Sequence, residues 1–121
     1  MKPSKEEQIE ALLERKACEL VERYVPADRS DFEAYAEIFS VNRSEILAYL
    51  QAKYSLWDLV YTEPGISDGF YAIRQDSGGY LIYEQERSIR FAEAMVPNED
   101  QVWKRFIDYI IVANGTGLRF E

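Results

Sequence analysis

The sequence predicts an α+β fold in a single domain over residues 1–121: N-terminal helices, a three- to four-stranded antiparallel sheet, and a C-terminal helix packed on that sheet. Three observations predict it. Apolar residues recur at helical spacing through the first half of the chain. From Leu56 onward they alternate around Gly- and Pro-containing turns, the pattern of strands. Near the C-terminus a wide stripe of Val102, Trp103, Phe106, Ile107, Ile110 and Ile111 restores the helical period.

The elements follow in order. Ser4 and Glu7 have capping-box spacing, in which each side chain satisfies a backbone N–H that the helix leaves unbonded. Ile9, Leu12, Leu13, Cys18, Leu20, Val21 and Tyr24 then predict one helix ending before Pro26, with Cys18 a small core residue beside the stripe. A second box, Ser30 with Glu33, opens a shorter helix bearing Phe32, Tyr35, Ala36 and Phe39. Asn42 or Ser44 starts a third, with Ile46, Leu47, Leu50 and Tyr54 on one side.

LWDLVYT, from Leu56, reads as a strand stopped by Glu63-Pro64-Gly65. GFYAIRQ and YLIYEQ flank Asp76-Ser77-Gly78-Gly79, a hairpin signal because glycine supplies the positive φ of tight turns. SIRFAEAMV returns as a further antiparallel strand. Pro97 and Asn98 introduce the last helix, and Asn114-Gly115 caps it.

Composition excludes several classes of function. The 121 residues contain no histidine, which removes Ser-His-Asp and Cys-His catalysis and most zinc sites. The single cysteine forms neither an internal disulfide nor a redox pair. Net charge is −8, shared equally by the two halves, so there is no basic arm for nucleic acid or an anionic membrane. The balance serves solubility, or complements a basic partner. MKPSKEEQIEALLERK lacks the apolar segment of a signal peptide, and the longest apolar run, residues 109–113, is too short to span a bilayer. The cytoplasm is the expected compartment.

Three features are candidates for function. DFEAYAEIFSVNRSEILAYLQ has the spacing of a helix-turn-helix, with small Ala36 and Ser40 at the helix contact and Ile46 inside. Its second helix offers Arg43, Gln51 and Lys53 to DNA, but Asp31, Glu33, Glu37 and Glu45 would repel phosphate. Glu84 and Glu86 lie two apart on one strand, a spacing that can hold a hard cation or raise one pKa, although Arg87 and Arg90 beside them also suit plain salt bridging. No phosphate-binding glycine loop, calcium loop or nucleophile elbow occurs, so neither an enzyme nor a cofactor is expected. Finally, the strand Tyr80–Gln85 carries Tyr80 on one face and Tyr83 on the other, so one of the two is expected at the surface. An exposed tyrosine beside acids suits a protein-binding hot spot; the alternative is a buried ring with its hydroxyl in solvent.

The run GGYLIYEQERSIRFAEAMVPNEDQVWKRFIDYII resembles small bacterial immunity proteins of contact-dependent and other polymorphic toxin systems. The matching residues are Tyr83, Glu86 and Arg87 of a Y-x-x-E-R element, Glu93 of the next strand, Glu99 and Asp100 at an acidic helix start, and Trp103 and Phe106. The resemblance covers roughly residues 78–112. It implies a protein that blocks a cognate toxin by stoichiometric occlusion, the partner being a basic toxin domain rather than nucleic acid or a membrane. A nuclease suits such an inhibitor, because carboxylates can occupy a cleft built for phosphates. The expected contact residues are Tyr83, Glu84, Glu86 and Glu93, with Glu99 and Asp100. The alternatives are a regulator or antitoxin using residues 31–52 as a helix-turn-helix, and an accessory subunit of a larger complex.

Overall fold

Helices come first, then a sheet, then a helix, as the periodicity predicts. The structure, a computed structural model, describes residues 2–25 and 32–121. Its elements are α1 (Lys5–Leu13), α2 (Ala17–Tyr24), α3 (Phe32–Ile38), α4 (Arg43–Lys53), α5 (Leu56–Leu59), β1 (Gly69–Arg74), β2 (Tyr80–Glu86), β3 (Ile89–Val96) and α6 (Glu99–Ala113). The expected Ser30–Glu33 box has its Ser30, like Pro26 and Asp31, outside the described residues. The chain divides into two units, residues 1–50 with 107–121, and residues 51–106.

In the helical unit the Ser4–Glu7 box forms as expected, with the Glu7 N–H donating to Ser4 Oγ at 3.1 Å. The single helix expected from Ile9 to Tyr24 is instead two. Arg15 takes a left-handed φ of 59°. Lys16 N–H donates to Ala11 O and Arg15 N–H to Leu12 O, at 2.7 and 3.3 Å, which is the Schellman closure of α1. The break resets the helical phase. Ala17, Leu20 and Val21 become the core face of α2, and Cys18 is exposed rather than buried, its thiol 3.5 Å from Glu22 Oε1.

Asn42 caps α4 reciprocally. Glu45 N–H donates to Asn42 Oδ1 at 2.8 Å, and Asn42 N–H to Glu45 Oε1 at 3.1 Å. The Gln8 amide is buried and bridges segments, accepting from the N–H groups of Ser40 and Val41. The second half of α6 supplies Ile110 and Ile111 to this unit's core, which also holds Ile9, Leu12, Leu20, Ile46 and Leu50. Asn114 closes it as expected of a C-terminal cap: its amide donates to Ile110 O at 2.6 Å and Leu12 O at 2.8 Å, and its Oδ1 accepts from Ala17 N–H at 3.2 Å.

In the sheet unit, β1-β2-β3 form an antiparallel sheet of three strands. In place of the strand expected at LWDLVYT, residues 56–59 form the short helix α5, which ends at Val60 in extended backbone, with Leu56 and Val60 both buried. Only Tyr61 reaches the sheet, as a one-residue parallel bridge to Tyr71. Its N–H donates to Phe70 O and its carbonyl accepts from Ala72 N–H, both at 2.9 Å. One sheet face carries Phe70, Ala72 and Ile82, and the Phe70 ring meets Phe106 of α6 edge-on at 5.7 Å. The sheet unit thus receives the first half of α6, with Val102, Trp103 and Phe106 buried.

Candidate functional site

Strand β3 is the part of the sheet that packing leaves uncovered. β2 is central, the outer side of β1 is met by Tyr61, and β3 pairs only with β2 among the described residues. Two backbone features place its side chains. Arg87 and Ser88 form the tight turn into β3 with φ of 51° and 66°, values that a primed turn needs and glycine normally supplies. The Arg87 N–H donates to Asp68 Oδ1 at 2.9 Å and ties this turn to the loop before β1. Further along, Ala92 has φ 54°, and the register shifts so that Ala92 and Glu93 together face Tyr83. This is a bulge. It twists the edge strand and moves Glu93 and Met95 onto the face of Arg90, away from Phe91.

The exposed side chains of β3 are largely apolar. Ile89 is 67%, Phe91 43% and Met95 58% exposed, on one eight-residue strand. Glu86 and Glu93 are exposed beside them. Soluble proteins usually blunt an edge strand with charge or proline, and a clustered apolar edge marks an interaction surface.

The predicted contact residues divide. Glu86, Glu93, Glu99 and Asp100 are exposed, the last two in the first turn of α6, where negative charge favours the helix dipole. Glu84 is half-buried opposite Phe91. Tyr83 is overturned as a surface contact: its side chain is fully buried, at 1% exposure. It is the third layer of a ladder across the second sheet face, where Tyr61 lies 4.9 Å from Tyr71, Tyr71 4.8 Å from Tyr83, and the Arg90 guanidinium 4.3 Å above the Tyr83 ring. Burial pushes the Tyr83 phenol above its ordinary pKa, against the pull of Arg90, with Tyr71 and Glu93 adding to the rise. Tyr80 is the half-buried one of the pair, stacked on Trp57 at 5.2 Å.

The sequence reading missed Ile89, Phe91 and Met95. Their signal was present: β3 leads into a helix, so it gains no further strand partner, yet it carries large apolar residues on both faces.

The helix-turn-helix reading meets a different geometry. Ala36 and Ser40 are exposed, while Ala34, Ile38 and Ile46 are buried. Arg43, a residue that would contact DNA, ion-pairs with Asp108 and donates from Nε to Phe120 O at 2.9 Å. Lys53 lies 5.6 Å from the Tyr54 ring, and Gln51 is exposed. Among the described residues no group of three or more acids and cysteines could hold a metal ion, and no helix is long and apolar enough to cross a membrane. No protein-family model, curated protein or solved structure matches the chain.

Proposed function

We propose that this chain is an immunity-type binding protein that blocks a basic toxin domain by stoichiometric occlusion, in the cytoplasm and without a reaction of its own. The observation that carries the reading is the open edge of β3, with exposed Ile89 and Phe91 on the face of Glu86, and exposed Met95 beside Glu93 on the other face. Apolar side chains exposed along an edge beside acids suit a protein contact that wraps both faces of that edge, in which desolvated anchors carry affinity and acids speed encounter with a basic surface. An uncovered strand can also accept a partner's strand through its backbone groups. The net charge of −8 and the acids at the start of α6 extend the same complementarity.

The test begins with capture of the partner from lysate of the native host. The captured domain is then expressed alone and together with this chain. The proposal expects a basic domain that is toxic alone, is silenced by co-expression, and binds one to one. A captured domain whose toxicity is unchanged, or recovery of duplex DNA instead, would replace it with the accessory-subunit or regulator reading.

A further inference from the structure

The sheet unit contains a hollow of about 280 Å³ lined by Trp57, Thr62, Ala72, Arg74, Tyr80 and Glu99. Ala72, the smallest residue on its face of β1, is among the residues that line it. Trp57 of α5 and Tyr80 of β2 form one wall, stacked with centroids 5.2 Å apart and planes at 30°. Arg74, the register partner of Tyr80, and Glu99, the first residue of α6, bring opposite charges to the rim. Both are exposed, and neither forms an ion pair with the other or with any other described residue. Thr62 adds a hydroxyl.

We propose that this hollow binds a small aromatic zwitterion of the amino-acid class. The ligand's carboxylate pairs with the Arg74 guanidinium, its ammonium pairs with Glu99, and its ring lies against the Trp57–Tyr80 wall. Opposite charges that line one hollow without meeting leave room for a molecule carrying the complementary pair. A simple anion would gain Arg74 but face the Glu99 carboxylate, and a simple cation would meet the reverse conflict. The aromatic wall selects a planar apolar side chain, since offset ring stacking adds to area burial. The volume selects size: pockets for drug-sized ligands begin at roughly 300 Å³, so this one suits a small molecule. The site does not depend on β3 or on the immunity reading.

The two indole N–H signals provide the readout. Trp57 lines the hollow, whereas Trp103 is buried and does not. L-Phenylalanine is titrated into the full ¹⁵N-labelled chain, with the signals assigned by Trp57→Phe. The proposal expects a saturable shift of the Trp57 indole and none at Trp103. Arg74→Gln and Glu99→Gln, both at exposed positions and checked for wild-type circular dichroism, should each weaken binding about tenfold, the worth of one charge-assisted hydrogen bond. 3-Phenylpropanoate, without the ammonium, and phenethylamine, without the carboxylate, should be weaker by a similar factor. Any one of three results overturns it: no saturable shift at Trp57, equal binding of either single-charge analogue, or unchanged affinity in both variants.

Discussion

The rings of Tyr71 and Tyr83 stack across β1 and β2 with centroids 4.8 Å apart and planes 9° apart, yet their hydroxyls are treated oppositely. Tyr71 donates to Ser67 O at 2.7 Å, and the Gln85 amide, itself bound to Gly65 O and Ser67 O, donates back to it at 3.4 Å. The Tyr83 hydroxyl is buried without a hydrogen-bond partner among the described residues. A buried polar group without a partner bears its desolvation cost uncompensated.

Tyr83→Phe should therefore leave the fold at least as stable as wild type, with a gain of up to about 1 kcal/mol. Tyr71→Phe should cost about 1–2 kcal/mol, because it strands the Ser67 carbonyl and weakens the loop clasp. Tyr83→Ala should cost about 3–5 kcal/mol, the usual loss for truncating a buried ring. Urea denaturation of the three variants checks the order. A large loss in Tyr83→Phe would mean that its hydroxyl has a partner.

Ser88 occupies a left-handed turn position that disfavours any side chain, with φ 66°. Ser88→Gly should raise stability by roughly 1 kcal/mol, since the αL conformation costs about that much for residues other than glycine. Thermal melts give the answer, and a fall in Tm would show that the serine side chain contributes to the turn.

The Glu45 carboxyl is held below the usual carboxylate range, chiefly by its bond from the Lys5 ammonium and next by the N–H of Asn42. A pKa depressed in the folded state contributes stability that is complete above the unfolded value of about 4.5 and is lost as pH falls through the folded one. Wild type should thus lose Tm more steeply than Glu45→Gln between neutral pH and pH about 3, and the two curves should converge at the acid end. Parallel curves would remove Glu45 from the account of acid sensitivity.

The sequence carried much of this fold because local chemistry agreed with it. The Ser4–Glu7 box, the glycine hairpin before Tyr80, and the Asn114 cap each formed where residue type demanded. The departures occur where non-glycine residues adopt positive φ. Arg15 breaks a helix that periodicity alone would continue, and its neighbour Cys18 turns outward as a result. Ala92 shifts the alternation of β3 by one residue, so strict period-two reading places Glu93 and Met95 on the wrong face. α5 departs for another reason: Leu56, Trp57, Val60 and Tyr61 favour strands by type, yet only Val60 and Tyr61 are extended, after one turn of helix. At the candidate site the exposed acids were legible as acids. Burial of Tyr83 was not, because it depends on Tyr71 and Arg90 from the two neighbouring strands.

If β3 is the contact surface, apolar-to-lysine changes there should separate binding from folding. Phe91→Lys and Met95→Lys alter exposed side chains, so the free protein should stay within about 0.5 kcal/mol of wild-type stability. Each should cost at least about 2 kcal/mol of binding as a truncated anchor. Glu93→Gln should mainly slow association, with an effect that fades as salt rises.

The most direct measurement is the affinity of the captured basic domain for wild type and for the Phe91→Lys/Met95→Lys double variant, read by calorimetry beside a thermal melt of each free protein. The account predicts a one-to-one complex with wild type and roughly a thousandfold loss in a double variant that still folds, at about 2 kcal/mol per anchor. Undiminished binding by the folded double variant would contradict it and place the partner on another surface.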